Sequence, residues 1–154
     1  MNKIRFMTQA AVIAAMYAAL TIYLAPFSYG AVQLRVAEAL TVLPVITPAA
    51  IPGLFIGCIV ANLVGGYGPI DVIFGSLATL IAALLSYKMP KRFLVPLPPV
   101  IINAIVIGFV LYFTIQAPLL ATMLSIGIGQ AVACYALGYP LMIALDRVKG
   151  RFIK

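Results

Sequence analysis

Apolar residues run almost without a break over 6–24, 36–64, 71–87 and 93–145, and proline, glycine and basic clusters punctuate them. About 20 such residues are what an α-helix needs to cross a hydrocarbon core of about 30 Å. The first run predicts one crossing, closed by a turn from Pro26 to Gly30. The last run has no charge and is interrupted near its middle by Gln116, Ala117 and Pro118, where proline ends or restarts a helix, so it predicts two long helices. A turn at Gly65 to Pro69 introduces a helix from about Asp71 to Tyr87. Between these, Pro44, Pro48 and Pro52 break the run 36–64, which therefore reads as a hairpin of two short helices. Each half is shorter than a usual crossing, and a re-entrant pair is the alternative.

Charge orients these elements. The basic residues fall into three groups beside apolar runs: Lys3 with Arg5; Lys88, Lys91 and Arg92; and Arg147, Lys149, Arg151 and Lys154. This is the positive-inside pattern, and three cytoplasmic groups require an even number of crossings between successive groups. The fold expected is an all-α integral membrane protein: a six-transmembrane-helix bundle with short second and third helices, both termini cytoplasmic, and one membrane domain spanning 1–154. Composition agrees, with 65% hydrophobic residues, 8% charged and a mean hydropathy of +1.19, which a soluble surface cannot accommodate. The net charge of +7 is explained by the membrane edges, so nucleic-acid binding is disfavoured. The run 6–24 is too long for a signal-peptide core and ends in no small-x-small site, so the first segment is expected to remain a helix.

Between Arg5 and Lys88 only Arg35, Glu38 and Asp71 are charged. Charges at membrane depth are expensive and mark sites or pathways unless they pair. Arg35 and Glu38, three residues apart, can neutralise each other, or Glu38 can accept N–H groups of a ligand while Arg35 orients it or meets a carbonyl. Asp71 at a helix start can serve as a cap or first-turn acid. Asn62, Asn103 and Gln130 can be interhelical glue, or can supply donors and acceptors to the edge of a flat heterocycle. In the expected topology Arg35, Glu38, Asn62 and Asp71 lie toward the outer face, with Asn103 and Gln130 about halfway along their helices, so they can meet in one cavity open to the outside. Tyr29, Tyr67 and Tyr112 read first as interfacial aromatics. The first helix carries two small-residue faces, Ala10, Ala14 and Ala18 beside Ala11, Ala15 and Ala19, which allow close approach of a helix from the same or another subunit. Cys58 and Cys134 have no CxxC or histidine partner and read as packing residues rather than a disulfide or metal site. The chain has no GxxxxGK[ST] loop, no histidine and too few acids for a metal cluster, so neither ATP hydrolysis nor intramembrane catalysis is expected.

Five stretches then carry a resemblance: Gln33-Leu34-Arg35-Val36-Ala37-Glu38-Ala39-Leu40-Thr41, Ala50-Ile51-Pro52-Gly53-Leu54-Phe55-Ile56-Gly57-Cys58, Asp71-Val72-Ile73-Phe74-Gly75-Ser76-Leu77-Ala78-Thr79-Leu80, Pro96-Leu97-Pro98-Pro99-Val100-Ile101-Ile102-Asn103-Ala104 and Gly129-Gln130. Together they resemble the QueT-type family of queuosine-precursor transporters, the substrate-binding S components of energy-coupling factor transporters. Where that family commonly has an acid after the glycine, this chain has Gln130. The resemblance implies six helices, capture of a deazaguanine-type (pyrrolopyrimidine) base from outside, and residence in the plasma membrane of a prokaryotic cell. It implies docking to a coupling transmembrane subunit driven by two ATPase subunits that use the ATP, with no cofactor in this chain. It also places the docking face on one of the two alanine stripes of the first helix. Rival classes are a self-contained ion-coupled carrier or channel, and a membrane scaffold without a ligand.

Overall fold

The computed structural model describes residues 2–29 and 33–152, with side chains through Val148. Gly30 of the predicted first turn with positions 31 and 32, Lys154, and the side chains of Lys149 and Arg151 lie outside the described residues. Every regular element among the described residues is helical. We label them α1 (Lys3–Tyr23), α2 (Val36–Val45), α3 (Ala50–Gly65), α4 (Asp71–Tyr87), α5 (Leu97–Ile115) and α6 (Leu119–Val148). A single turn at Ala25–Ser28 follows α1, and a 3₁₀ turn at Arg92–Leu94 leads into α5.

Three segments, Lys3–Tyr23, Arg92–Ile115 and Leu119–Val148, are long and apolar enough to cross a membrane. The other three are shorter, as the proline pattern predicts for the second and third. The ten residues of α2 form a 3₁₀ helix with Pro44 inside it. At about 2 Å per residue it reaches roughly 20 Å. The 16 residues of α3 reach about 24 Å at α-helical rise. Residues 37–44 are buried on every side of α2, so this helix is the interior rod around which the others pack.

Close approach of backbones sets the arrangement. A Cβ placed on Gly53 would lie 2.7 Å from the Ala10 carbonyl oxygen, and one on Gly57 would lie 2.7 Å from that of Ala14 and 2.9 Å from Tyr17 Cβ. These contacts seat α1 directly on α3. Ala10, Ala14 and Ala18 are buried in this contact, whereas Ala11, Ala15 and Ala19 are exposed. Ile13 and Tyr17 continue the buried face into a cluster with Leu40, Leu54 and Ala61. On the other side of α2, a Cβ on Gly138 would lie 2.9 Å from Ala39 O, so α6 packs equally closely there. Gly138 ends a π-helical stretch, Val132–Gly138, and a second such stretch, Asp71–Gly75, opens α4.

The two ends of the bundle differ. At one, Thr47 Oγ1 donates to Gln9 Oε1 at 2.9 Å, Ser86 Oγ donates to Val95 O at 2.8 Å, and Arg92 pairs with Asp146 at 3.0 Å. Val42, Val95 and Met142 pack there with Met89. Lys3, Arg5, Lys88, Lys91, Arg92 and Arg147 all belong to this end. At the other, Tyr29 Oη donates to Ala61 O at 2.6 Å and Tyr67 Oη donates to Tyr29 O at 2.5 Å. Tyr67 and Ala117 pack there against Ile107, Leu111 and Ile126. The described members of the basic groups thus share one end of the bundle.

Replacing Gly57 by Val forces α1 off α3, and overpacking of this kind costs about 1–3 kcal/mol. A lowered thermal unfolding midpoint in detergent is expected for Gly57→Val. For Gly127→Ala, whose added Cβ would meet only Ala104 Cβ at 3.6 Å, the midpoint should stay unchanged. Equal midpoints for the two variants would contradict the close α1–α3 approach.

Candidate binding site

Glu38 lies one turn into α2 and is 1% exposed. Three residues per turn place Thr41 on the same face, and its Oγ1 donates to Glu38 O at 2.6 Å. The Glu38 carboxylate is held from two other helices. Tyr17 Oη of α1 donates to Oε1 at 2.5 Å, and Asn103 Nδ2 of α5 donates to Oε2 at 3.2 Å. The same Asn103 amide donates to Gln130 Oε1 of α6 at 3.3 Å. Cys134, one turn beyond Gln130, directs its Sγ toward Glu38 O at 3.5 Å. Glu38, Asn103 and Gln130, expected from sequence to meet, therefore come together around one carboxylate.

Asn62 and Asp71 form a neighbouring group. Asn62 Nδ2 donates to Asp71 O at 3.2 Å and approaches Cys58 Sγ at 3.6 Å. Asp71 does not cap its own helix. Its Oδ2 reaches back to accept the Tyr67 backbone N–H at 3.1 Å, which closes the Gly66–Pro69 turn. Two glycines make room for this group, since a Cβ on Gly66 would lie 2.6 Å from Asp71 Oδ2 and one on Gly75 would lie 2.8 Å from Asn62 Nδ2. A cavity of about 320 Å³ lined by Asn62, Gly66, Gly68 and Pro69 adjoins it.

Arg35 does not pair with Glu38. It precedes α2 in an extended conformation, φ −84° and ψ 100°, which removes it from the helical register that would stack it on Glu38. Its Nε donates to Ser28 O at 3.4 Å, and its guanidinium lies 5.2 Å from the centroid of the Tyr29 ring, a cation–π arrangement. The buried guanidinium remains close enough to act electrostatically on Tyr17, Cys58, Asp71 and Glu38. Arg92–Asp146, at the basic end, is the ion pair among the described residues.

Several polar atoms in this region have no hydrogen-bond partner among the described residues: Asn62 Oδ1, Asp71 Oδ1, Asn103 Oδ1, Gln33 Nε2, Arg35 Nη2, Ser28 Oγ and Ser76 Oγ. Each such buried group costs about 1–3 kcal/mol in a folded chain, so a concentration of them calls for an explanation. Acceptors and donors are both represented, and together they are equipped to bind a compact polar molecule with donors on one edge and acceptors on another. No metal-ligating group of three or more residues occurs among the described residues.

Sequence reasoning did not single out Tyr17, Thr41 or Gln33, and it read Cys134 as a packing residue. Tyr17 did carry a signal: it continues the Ala10/Ala14 face near the middle of a 21-residue apolar helix, where a hydroxyl needs a buried partner. Thr41 and Cys134 follow Glu38 and Gln130 at one-turn spacing. Tyr29 and Tyr67, read as interfacial aromatics, use their hydroxyls to tie helix ends together, while Tyr112 is partly exposed and stacks edge-on to Phe113.

The Tyr17–Glu38 bond is open to a double-mutant cycle. Tyr17→Phe leaves a buried carboxylate oxygen short of a donor and should destabilise the chain by about 1–3 kcal/mol. Coupling to Glu38→Leu, which removes the acceptor that glutamine would keep, should be at least about 0.5 kcal/mol for residues in direct contact, read from unfolding midpoints. Strict additivity would mean that the bond does not form.

No curated protein and no solved structure matches the chain. The family model described as QueT transporter matches residues 7–147, nearly its whole length. With an all-helical body, three helices able to cross a membrane and a buried polar cluster between them, this membrane protein belongs to the QueT transporter family.

Proposed function

We propose that the chain is the substrate-capture component of an ATP-driven uptake transporter and that its substrate is a queuosine precursor, a deazaguanine-type base taken from outside the cell. The observation that carries this reading is the convergence of Glu38, Asn103 and Gln130 from three helices, each at most 4% exposed, in a chain of a transporter family. Glu38 accepts the paired N–H groups of a guanidine-like edge, and Asn103 and Gln130 complete the hydrogen bonds. Asn62 and Asp71, each with one unpartnered oxygen, receive a cationic aminomethyl substituent. In this reading the whole chain is one membrane domain with six crossings. The basic end, with both termini, faces the cytoplasm, and the Tyr29–Tyr67 end faces outward.

The chain itself holds no ATP site. Docking to a coupling membrane subunit and two ATPases supplies the drive, and reorientation of the loaded bundle carries the site inward. The exposed stripe Ala11, Ala15 and Ala19 is the face left for that docking, because Ala10, Ala14 and Ala18 are occupied by α3. The membrane in question is a prokaryotic plasma membrane.

Titration of the detergent-purified chain with a pyrrolopyrimidine base tests the site. Glu38→Gln should weaken binding by about 1.5–3 kcal/mol, roughly 10- to 150-fold, through loss of a charge-assisted hydrogen bond. Unchanged affinity would remove Glu38 from the site. Uptake by liposomes containing this chain alone, driven by an ion gradient, would instead establish a self-contained carrier.

A further inference from the structure

Gln33 is 3% exposed, yet its Nε2 has no hydrogen-bond partner among the described residues. Its backbone has φ 44°, in the left-handed region that a residue with a side chain rarely occupies. Two residues on, Arg35 N–H donates to Gln33 O at 3.1 Å, a tight turn that draws the two residues together. Arg35 is 4% exposed, and although Ser28 O and the Tyr29 ring fix its guanidinium, its Nη2 has no acceptor. Two buried residues separated only by Leu34 thus each present an unused N–H, immediately before the helix that carries Glu38. The unpartnered amide oxygen of Asn103, which is hydrogen-bonded to Glu38, is an acceptor, so the region has a donor pole and an acceptor pole.

We propose that Gln33 and Arg35 form a donor pair that receives a carbonyl oxygen of the substrate and makes Gln33 a specificity-determining residue. The inference rests on the proposed capture of a flat heterocycle at Glu38 and adds which edge that heterocycle must present. One carbonyl oxygen has two lone pairs and satisfies both donors. An amino group at the same position turns donors against donors and leaves both N–H groups unmet, which is how a polar site rejects a near-isosteric competitor.

The test uses the full chain purified in detergent and two probes: deazaguanine, and the diamino analogue in which an amino group replaces the ring carbonyl and the neighbouring ring N–H is lost with it. Wild-type chain should bind deazaguanine at least about 100-fold more tightly, because the analogue strands buried donors and no longer offers Glu38 a ring N–H, so the Gln33 variants are what isolate the donor pair. Gln33→Met, similar in length but without a donor, should lose about tenfold affinity for deazaguanine while binding of the analogue changes by less than about twofold. Gln33→Glu, nearly isosteric and now an acceptor, should shift preference toward the analogue, which keeps the inference falsifiable should Gln33→Met fail to fold. Equal loss for both probes in the Gln33 variants overturns the donor pair while leaving the Glu38 site standing, whereas no discrimination by wild type overturns the donor pair and the Glu38 contact together. Failure of wild type to bind either probe overturns both.

Discussion

A carboxyl group enclosed by an oily bundle dictates what surrounds it, and Glu38 is that group. Its two oxygens draw a phenol from α1 and an amide from α5, and the amide in turn engages Gln130 on α6. None of α1, α5 and α6 can be displaced from α2 without leaving a buried acceptor unmet, at about 1–3 kcal/mol each. A made hydrogen bond between membrane helices contributes much less, about 0.6 kcal/mol on average. The network therefore discriminates between correct and incorrect packings more than it adds net stability, because the penalty for misarrangement exceeds the gain from the bonds.

Departures from regular α-helix make this enclosure possible. The 3₁₀ winding of α2 stacks Thr41 on Glu38 and stretches ten residues farther than an α-helix would, at the expense of poorer hydrogen-bond geometry. A rod of that kind needs support on every side, and it has it. The π-helical turns of α4 and α6 lie beside the polar clusters: Gly75 O accepts Thr79 Oγ1 at 3.1 Å, and Cys134 in the second turn reaches Glu38 O. Close contacts at Gly53, Gly57 and Gly138 hold the neighbouring helices against this assembly. The irregular segments and the glycines thus serve one geometry: polar atoms from separate parts of the chain brought within hydrogen-bond reach inside an apolar body.

Much of this was legible from the chain. Proline and glycine positions located the breaks at 65–69 and 116–118, and the scarcity of polar residues in long apolar runs made Glu38, Asn103 and Gln130 conspicuous. Other features were hidden for physical reasons. Three-residue spacing predicts an Arg35–Glu38 pair only if both residues are helical, and Arg35 is extended, so hydropathy could not reveal that the pair would separate. Helical periodicity showed two alanine stripes on α1 but could not say which one faced inward. The Gly53-xxx-Gly57 spacing in α3 matches both stripes equally, and only the packing, which sets these glycines on Ala10 and Ala14, decides between them. The 3₁₀ character of α2 has no composition of its own, being imposed by burial on every side and by Pro44.

The unpartnered atoms bear on how stability and binding are divided in this protein. A bundle optimised only to persist would bury leucine at Asn62, Asp71 and Asn103, because each unmet oxygen there weakens the folded state. Their retention beside a strained residue at Gln33 fits a site held ready by its surroundings, with the α1–α3 seam and the enclosure of α2 offsetting the penalty. A ligand that meets these atoms relieves the penalty only when it is bound, so occupancy stabilises the folded chain by mass action, more as the ligand exceeds its dissociation constant. Recognition and resistance to unfolding are then coupled through the same few atoms, and a substitution that makes the empty bundle more robust by removing an unmet polar group should weaken its hold on the ligand.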